Sequence, residues 1–125
     1  MKVLVTAGPT REKIDAVRFL TNRSTGKMGY ALAEAARDAG HEVTLVSGPV
    51  ALAVPRGITL VPVESAAEMA EAVKERAPQM ALVIMCAAVA DYRPKLVVAG
   101  KMKKREGDLV LELERTEDIL KSLGR

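Results

Sequence analysis

Short unbroken apolar runs alternate along the chain with longer segments in which apolar residues recur three or four positions apart, and that alternation predicts a layered α/β fold. Residues 2–6 (Lys-Val-Leu-Val-Thr) stop at Gly8 and Pro9, the profile of a central strand buried on both faces. Met28, Leu32, Ala35 and Ala39 then follow at helical spacing, with Gly40 closing the segment, and are expected to form the inner stripe of a helix laid on the sheet. Two more strands are expected over 42–47, ended by Gly48 and Pro49, and over 59–63, after the break from Pro55 to Gly57. Ser65 and Glu68 read as a capping box for a second helix, with Met69, Ala72, Val73 and Ala77 turned inward and Pro78 ending it.

The apolar run over 80–89 is expected to be a second central strand. Alternation over 109–113 predicts a strand with one wetter face, and Thr116 is the expected N-cap of a helix over 116–123 that carries Glu117 and Asp118 in its first turn. Helical segments between the later strands imply parallel order. The expectation is a single unit over residues 1–125, a Rossmann-like three-layer α/β fold with a mostly parallel central sheet, left incomplete at its C-terminal side because the last residues lie within a helix.

Composition narrows the class. With 125 residues, 49% of them hydrophobic, the chain supports one domain. A net charge of +3 and a pI near 9.2 favour anionic ligands over cations without separating small molecules from polymers. Aromatic residues make up 2%, too few to interleave with cations as a nucleic-acid surface requires, so no nucleic-acid partner is expected. Cys86 is the single cysteine, which excludes an intrachain disulfide and suits a reducing compartment. The first residues already read as a strand, and no apolar run approaches the roughly 20 residues of a membrane span. A cytoplasmic protein without a membrane partner is the expectation.

Three segments carry candidate chemistry. Between the first strand and the first helix lie about twenty residues where about 2 to 6 usually suffice, and this insertion holds Arg11, Arg18, Asn22, Arg23 and Lys27. Its ends, Gly8 and the string Ser24-Thr25-Gly26-Lys27, suit a phosphate cradle at a helix N-terminus, or else a tightly packed helix start. A Walker loop is not matched, since its first position falls on Thr21 and its last on Met28, and no contiguous Gly-x-Gly-x-x-Gly exists. Secondly, Ala87-Ala88-Val89-Ala90-Asp91 follows the most apolar run, where small residues let a flat group lie on the backbone and Asp91 takes a hydroxyl, a base amino group or a cation; a plain turn before Pro94 is the alternative. Thirdly, Lys101-Met102-Lys103-Lys104-Arg105 lies between Gly100 and Gly107, which fits a solvated charge run, the reading composition favours, or a flap closing over a polyphosphate. His41 and Cys86 read as structural.

Taken together, Thr6-Ala7-Gly8-Pro9-Thr10-Arg11-Glu12, Ile14-Asp15, Val17-Arg18-Phe19, Asn22-Arg23-Ser24-Thr25-Gly26-Lys27-Met28-Gly29, Val46-Ser47-Gly48-Pro49, Ala87-Ala88-Val89-Ala90-Asp91-Tyr92-Arg93-Pro94, Lys101-Met102-Lys103-Lys104 and Asp118-Ile119-Leu120 resemble the phosphopantothenoylcysteine synthetase family of coenzyme A biosynthesis, in order over essentially the whole chain. The resemblance implies a ligase joining 4'-phosphopantothenate to cysteine through an acyl-cytidylate formed from CTP, with magnesium (Mg2+) as cofactor. It implies catalytic roles for Asn22, Arg18 and Lys101, and nucleotide contacts at Gly8, Ser24, Gly26, Ala87, Ala88 and Asp91. Asn22 and Ala87 are also implied to hold the substrate, and Asp91 to meet the metal. A homodimer and fusion to a flavin-dependent decarboxylase are implied as well. Family members usually carry Asn-Pro before Asp-Ile-Leu where this chain has Arg115, Thr116 and Glu117, and they continue for several tens of residues further. A nucleotide-binding module without turnover is therefore an alternative, and the Thr-Ala-Gly corner leaves an NAD(P)-binding Rossmann reductase as another.

Overall fold

The computed structural model describes residues 1–97, 107 and 110–123. Its elements run β1 (Lys2–Ala7), a small hairpin of β2 (Glu12–Lys13) and β3 (Phe19–Leu20), α1 (Lys27–Asp38), β4 (Glu42–Ser47), β5 (Thr59–Pro62), α2 (Ala66–Arg76), a 3-10 turn (Ala77–Gln79), β6 (Leu82–Met85), β7 (Tyr92–Pro94), β8 (Leu113–Arg115) and α3 (Ile119–Leu123). Strands β1, β4, β5 and β6 form a parallel sheet in the order β5-β4-β1-β6. This is the expected Rossmann-like α/β arrangement, and it has a topological consequence. The chain builds outward from β1 through β4 to β5, then returns to lay β6 on the other side of β1, so the strand order reverses between β1 and β6. Ligands of open α/β sheets bind beyond the carboxyl ends of the strands at such a reversal.

The alternating side chains of β1 divide between two cores. Val3, Val5 and Ala7 pack with Tyr30 and Ala33 of α1 and with Val43 and Leu45, whereas Leu4 packs on the opposite face with Val46, with Met69, Ala70 and Val73 of α2, and with Ile119 of α3. A strand apolar on both sides is thus covered on both sides, which makes the three layers. Helix α2 begins as the capping box requires: the Ser65 hydroxyl oxygen accepts from the Glu68 N–H at 3.1 Å, although the Glu68 carboxylate reaches one residue further back, to the Glu64 N–H.

Several expectations are corrected. Met28 is 71% and Leu32 37% exposed, and Ala35 and Ala39 are exposed too; the buried face of α1 is Gly29, Tyr30 and Ala33. Helix and sheet touch where bulk is smallest: a Cβ on Gly29 would stand 2.4 Å from the Ala7 Cβ and 3.0 Å from its Cα. Close approach, not maximal hydrophobicity, selects the inner face, and Tyr30 adds a hydrogen bond from its Oη to Ser47 Oγ at 2.9 Å. The run over 80–89 supplies only the short β6, which among the described residues pairs with β1 alone. Past Met85 the regular pairing is interrupted: the Cys86 N–H is shared between the Thr6 carbonyl at 3.2 Å and the Thr6 hydroxyl oxygen at 3.1 Å, the Ala87 N–H donates to that hydroxyl oxygen at 3.1 Å, and a single bridge follows between Pro9 and Ala88. The alternation over 109–113 marks a strand that instead occupies Leu113–Arg115 and runs antiparallel to β7 in a separate ribbon. Thr116 does not cap α3: Asp118 Oδ1 accepts from the Lys121 N–H at 3.0 Å, and Thr116 is occupied with the chain after β6.

Among the described residues no helix is long and apolar enough to cross a membrane.

Since α1 rests on β1 through Gly29, Gly29→Ala is expected to destabilise the protein by about 1–3 kcal/mol, overriding the better helix propensity of alanine. Met28→Ala, on the outer face, should change stability by less than about 0.5 kcal/mol. Thermal denaturation of the two variants checks the pair, and the opposite ranking would restore the stripe read from periodicity.

Candidate functional site

The corner after β1 is a left-handed turn at Gly8 (φ 76°), and the corner before α1 repeats it at Gly26 (φ 82°). A Cβ on either would stand 2.8 Å from the same Val50 methyl, and one on Gly26 would lie 3.4 Å from the Gly8 Cα, so the two glycines bring both corners together over Val50. Helix α1 starts at this junction with no cap from Gly26 and no acid in its first turn; the Lys27 N–H donates to Thr25 Oγ1 at 3.4 Å, which leaves the amides after it and the positive end of the dipole for an anion.

The chain after β6 is sewn onto the same corner. The Ala88 N–H donates to the Gly8 carbonyl at 2.9 Å, the Thr10 N–H donates to the Ala88 carbonyl at 3.2 Å, and the Ala90 N–H donates to Thr10 Oγ1 at 2.9 Å. Asn22 completes the seam. Its Nδ2 donates to the Ala88 carbonyl at 2.9 Å while its Oδ1 accepts from the Ser24 N–H at 3.0 Å, an arrangement that only one orientation of the carboxamide satisfies. One Nδ2 proton serves Ala88; the amide group has a second. The structure thus gathers Gly8, Asn22, Ser24, Gly26 and Ala88 at one place, from three separate stretches of sequence.

The remaining candidates lie elsewhere. Ala87, adjacent to Ala88, packs against the core formed by α2 and α3. Asp91 is exposed and lines a hollow of about 450 Å³ together with Met85, Val89, Arg115, Thr116 and Asp118. That hollow is of the size small-molecule sites occupy, about 300–1,000 Å³. It opens beside the segment whose other face meets Asn22: the Thr116 N–H donates to the Asp91 carbonyl at 2.9 Å, and the Thr116 hydroxyl to the Ala90 carbonyl. Residues 115–118, of which Thr116 is expected from the sequence as an N-cap and Glu117 and Asp118 as a first helical turn, therefore frame the Asp91 hollow.

Arg18 is separated from Asn22 by β3. It sits at the hairpin turn, where Asp15, whose side chain is fully buried, accepts from the Val17 N–H (2.8 Å), the Arg18 N–H (2.7 Å) and Arg18 Nη1 (3.1 Å). The sequence reading assigned Asp15 no role, yet it holds the half-exposed guanidinium in place. Glu12, also buried, accepts from the Ala66 N–H at 3.0 Å and so anchors the hairpin on the first turn of α2. Lys101, with Lys103, Lys104 and Arg105, lies outside the described residues.

A magnesium ion held by protein groups alone does not fit the described residues, among which no cluster of three His, Cys, Asp or Glu side chains is arranged to ligate a metal. The acids near Asp91 have other duties. Glu117 Oε2 pairs with Lys74 Nζ at 2.6 Å and accepts from the Ser122 hydroxyl at 2.8 Å, and Asp118 caps α3.

Comparison with known proteins agrees with the fold. The family model described as the DNA/pantothenate metabolism flavoprotein C-terminal domain matches residues 1–125. The chain is 59% identical over 123 residues to the coenzyme A biosynthesis bifunctional protein CoaBC of Bacillus subtilis (strain 168), which covers 98% of this chain and 30% of that protein. It superposes on the crystal structure of the C-terminal domain of a coenzyme A biosynthesis bifunctional protein CoaBC with a TM-score of 0.86 and 58% identity, covering 98% of this chain and 57% of that one. On the DNA/pantothenate metabolism flavoprotein from Streptococcus pneumoniae the TM-score is 0.83 at 29% identity, over 96% of this chain and 62% of the other. The chain spans under a third of the length of the Bacillus relative.

The Lys74 ammonium, foremost, and the Ser122 hydroxyl hold the Glu117 carboxyl below its ordinary value, against a smaller opposing effect of burial. A depressed carboxylate pKa contributes stability above the unfolded-state value, and that contribution is lost as pH falls through the folded-state value. Acidification below the usual carboxylate range is thus expected to release Lys74 from Glu117 and loosen α3 against α2. An NMR titration of the Glu117 carboxyl carbon should give a midpoint below that of an unstructured glutamate, and Lys74→Met should raise it; an ordinary midpoint in the unsubstituted protein would contradict the pairing.

Proposed function

The chain belongs to the DNA/pantothenate metabolism flavoprotein C-terminal domain family, and from that membership we propose that it carries the activating half-site of a phosphopantothenate–cysteine ligase in coenzyme A biosynthesis. A carboxylate is a poor acyl donor, so the 4'-phosphopantothenate carboxylate first attacks the α-phosphorus of CTP. A P–O bond forms, the bond to the β-phosphate breaks, and pyrophosphate leaves. The cysteine amine then attacks the acyl carbon of the acyl-cytidylate, forming the amide and expelling CMP as the amine loses its proton. The first half needs two anionic ligands side by side, and their mutual repulsion is the main electrostatic obstacle.

The observation that carries this reading is the oriented carboxamide of Asn22 beside the glycine corner, both sewn to Ala88. An amide fixed by two backbone partners offers its second Nδ2 proton to the developing negative charge of the acyl-phosphate without having to reorganise. Gly8, Ser24, Gly26 and the start of α1 take a phosphate, and Ala88 lets a flat group lie on the strand end. In this reading Asp91 takes a hydroxyl or amino group of the nucleotide within the hollow framed by Thr116, and Arg18, steadied by Asp15, serves conversion of the intermediate. Lys101 is assigned to formation of the cytidylate on the resemblance alone. Magnesium is expected to arrive on the triphosphate, whose oxygens supply ligands that Asp91 by itself does not. Homodimerisation, a cytoplasmic setting and a flavin-dependent decarboxylase in the same polypeptide belong to the same proposal; the bifunctional name of the Bacillus relative supports the last in outline.

The test is incubation of the protein with CTP, magnesium, phosphopantothenate and cysteine, following pyrophosphate and product by mass. Release of pyrophosphate that depends on phosphopantothenate supports the ligase; CTP binding by calorimetry with no release marks a binding module; retention of NADPH in place of CTP would favour a reductase. Asn22→Asp replaces the donor to Ala88 with a carboxylate that repels both the carbonyl and the acyl-phosphate, and is expected to lower kcat by about 10²–10³-fold while the fold is kept. Lys101→Gln should slow pyrophosphate release far more than it slows use of cysteine by preformed intermediate; equal effects on both steps would remove Lys101 from cytidylate formation.

A further inference from the structure

We infer that the buried hydroxyl of Thr10 is a positioning group that sets Asn22 and Asp91 in register across the strand end, an inference resting on the ligase reading above. Thr10 is fully buried, belongs to one of the three stretches that meet at the site and is hydrogen-bonded to the other two. Its N–H donates to the Ala88 carbonyl at 3.2 Å, the same oxygen that orients Asn22; its side-chain oxygen accepts from the Ala90 N–H at 2.9 Å; and its own carbonyl accepts from the Thr21 hydroxyl at 2.8 Å, next to Asn22 in sequence. The side-chain bond is the one backbone geometry cannot replace. It fixes Ala90, whose neighbour Asp91 lines the hollow and whose carbonyl accepts from the Thr116 hydroxyl. Without it the Ala90 N–H is left without its protein partner, and the segment from Ala88 to Asp91 relaxes as a unit. A shift of about 1 Å between two reacting groups is enough to cost about 10²-fold in rate, so a hydroxyl that touches neither ligand acts through Asn22 and Asp91.

Thr10→Val removes the hydroxyl at nearly constant volume, and Thr10→Ser keeps it. Thr10→Val is expected to lower kcat for product formation by about 10- to 100-fold with the KM values for CTP and phosphopantothenate changed by less than about threefold, and Thr10→Ser to restore kcat to within about threefold of the parent. A serine variant as impaired as the valine variant overturns the inference. Two measurements decide it without turnover. In the unsubstituted protein the Ala90 amide must exchange with solvent far more slowly than an exposed amide, and in Thr10→Val the two Asn22 carboxamide proton resonances must move. A freely exchanging Ala90, or Asn22 resonances unmoved in a folded Thr10→Val, overturns the inference. If the parent makes no product, the ligase reading falls while these resonances still judge Thr10; if Thr10→Val does not fold, the Ala90 exchange rate decides.

Discussion

The carbonyl oxygen of Ala88 accepts two hydrogen bonds, from the Thr10 N–H and from Asn22 Nδ2, and the candidate site exists because both arrive at one atom. A carbonyl has two lone pairs, and here each is used to hold a different part of the long insertion after β1. The reversal of strand order between β1 and β6 creates the need for this atom. At that point the helices on the two faces lead the chain apart, and whatever fills the gap must close it with its own backbone. Ala87, Ala88 and Ala90 are small enough to let the corner approach, and Gly8 and Gly26 remove the Cβ atoms that would keep the two corners apart.

On the proposed reading, the same architecture answers an electrostatic problem. Two polyanionic ligands repel one another, and a site that joins them has to supply positive potential without supplying bulk. Backbone amides at the start of α1 do so with fixed dipoles, and Arg18 is kept from collapsing onto the ligands by the buried carboxylate of Asp15. The insertion is therefore built as a folded hairpin rather than a slack loop. Glu12 ties one of its strands to the first turn of α2 and Asp15 closes its turn, so that residues distant from any ligand hold the ones expected to meet it.

Most of the sheet was legible in the sequence because its signals are local: β1 and β4 are apolar runs ended by Gly-Pro pairs, β5 is one that follows the break from Pro55 to Gly57, and the Ser65 cap announces α2 unaided. What failed was decided by tertiary contact. In α1 two stripes are equally periodic, and the one with greater hydrophobicity, through Met28 and Leu32, lost to the one that allows contact, through Gly29 and Ala33. The run over 80–89 looks continuous, but after Met85 the Thr6 hydroxyl draws the Ala87 N–H and shares that of Cys86, and regular pairing stops. Thr116 has the composition of a cap and the partners of a clamp. For the site, Gly8, Asn22, Ser24, Gly26 and Ala88 were legible through the resemblance and converge in space. Asp15, Thr10 and Thr116 were not, since a hydroxyl or carboxylate that acts on backbone groups leaves no mark on hydrophobic pattern or charge count, whether buried as in Thr10 and Asp15 or partly exposed as in Thr116. Lys101 lies outside the described residues.

The most direct measurement is a crystal structure of the full-length protein with phosphopantothenate and a non-hydrolysable CTP analogue bound together. The account predicts the phosphopantothenate carboxylate within hydrogen-bond distance of Asn22 Nδ2, a phosphate against the amides at Gly26 and the start of α1, and the nucleotide in the hollow between Asp91 and Thr116. Ligands seated away from the seam at Ala88, with the Asn22 carboxamide facing only its own backbone partners, would contradict it.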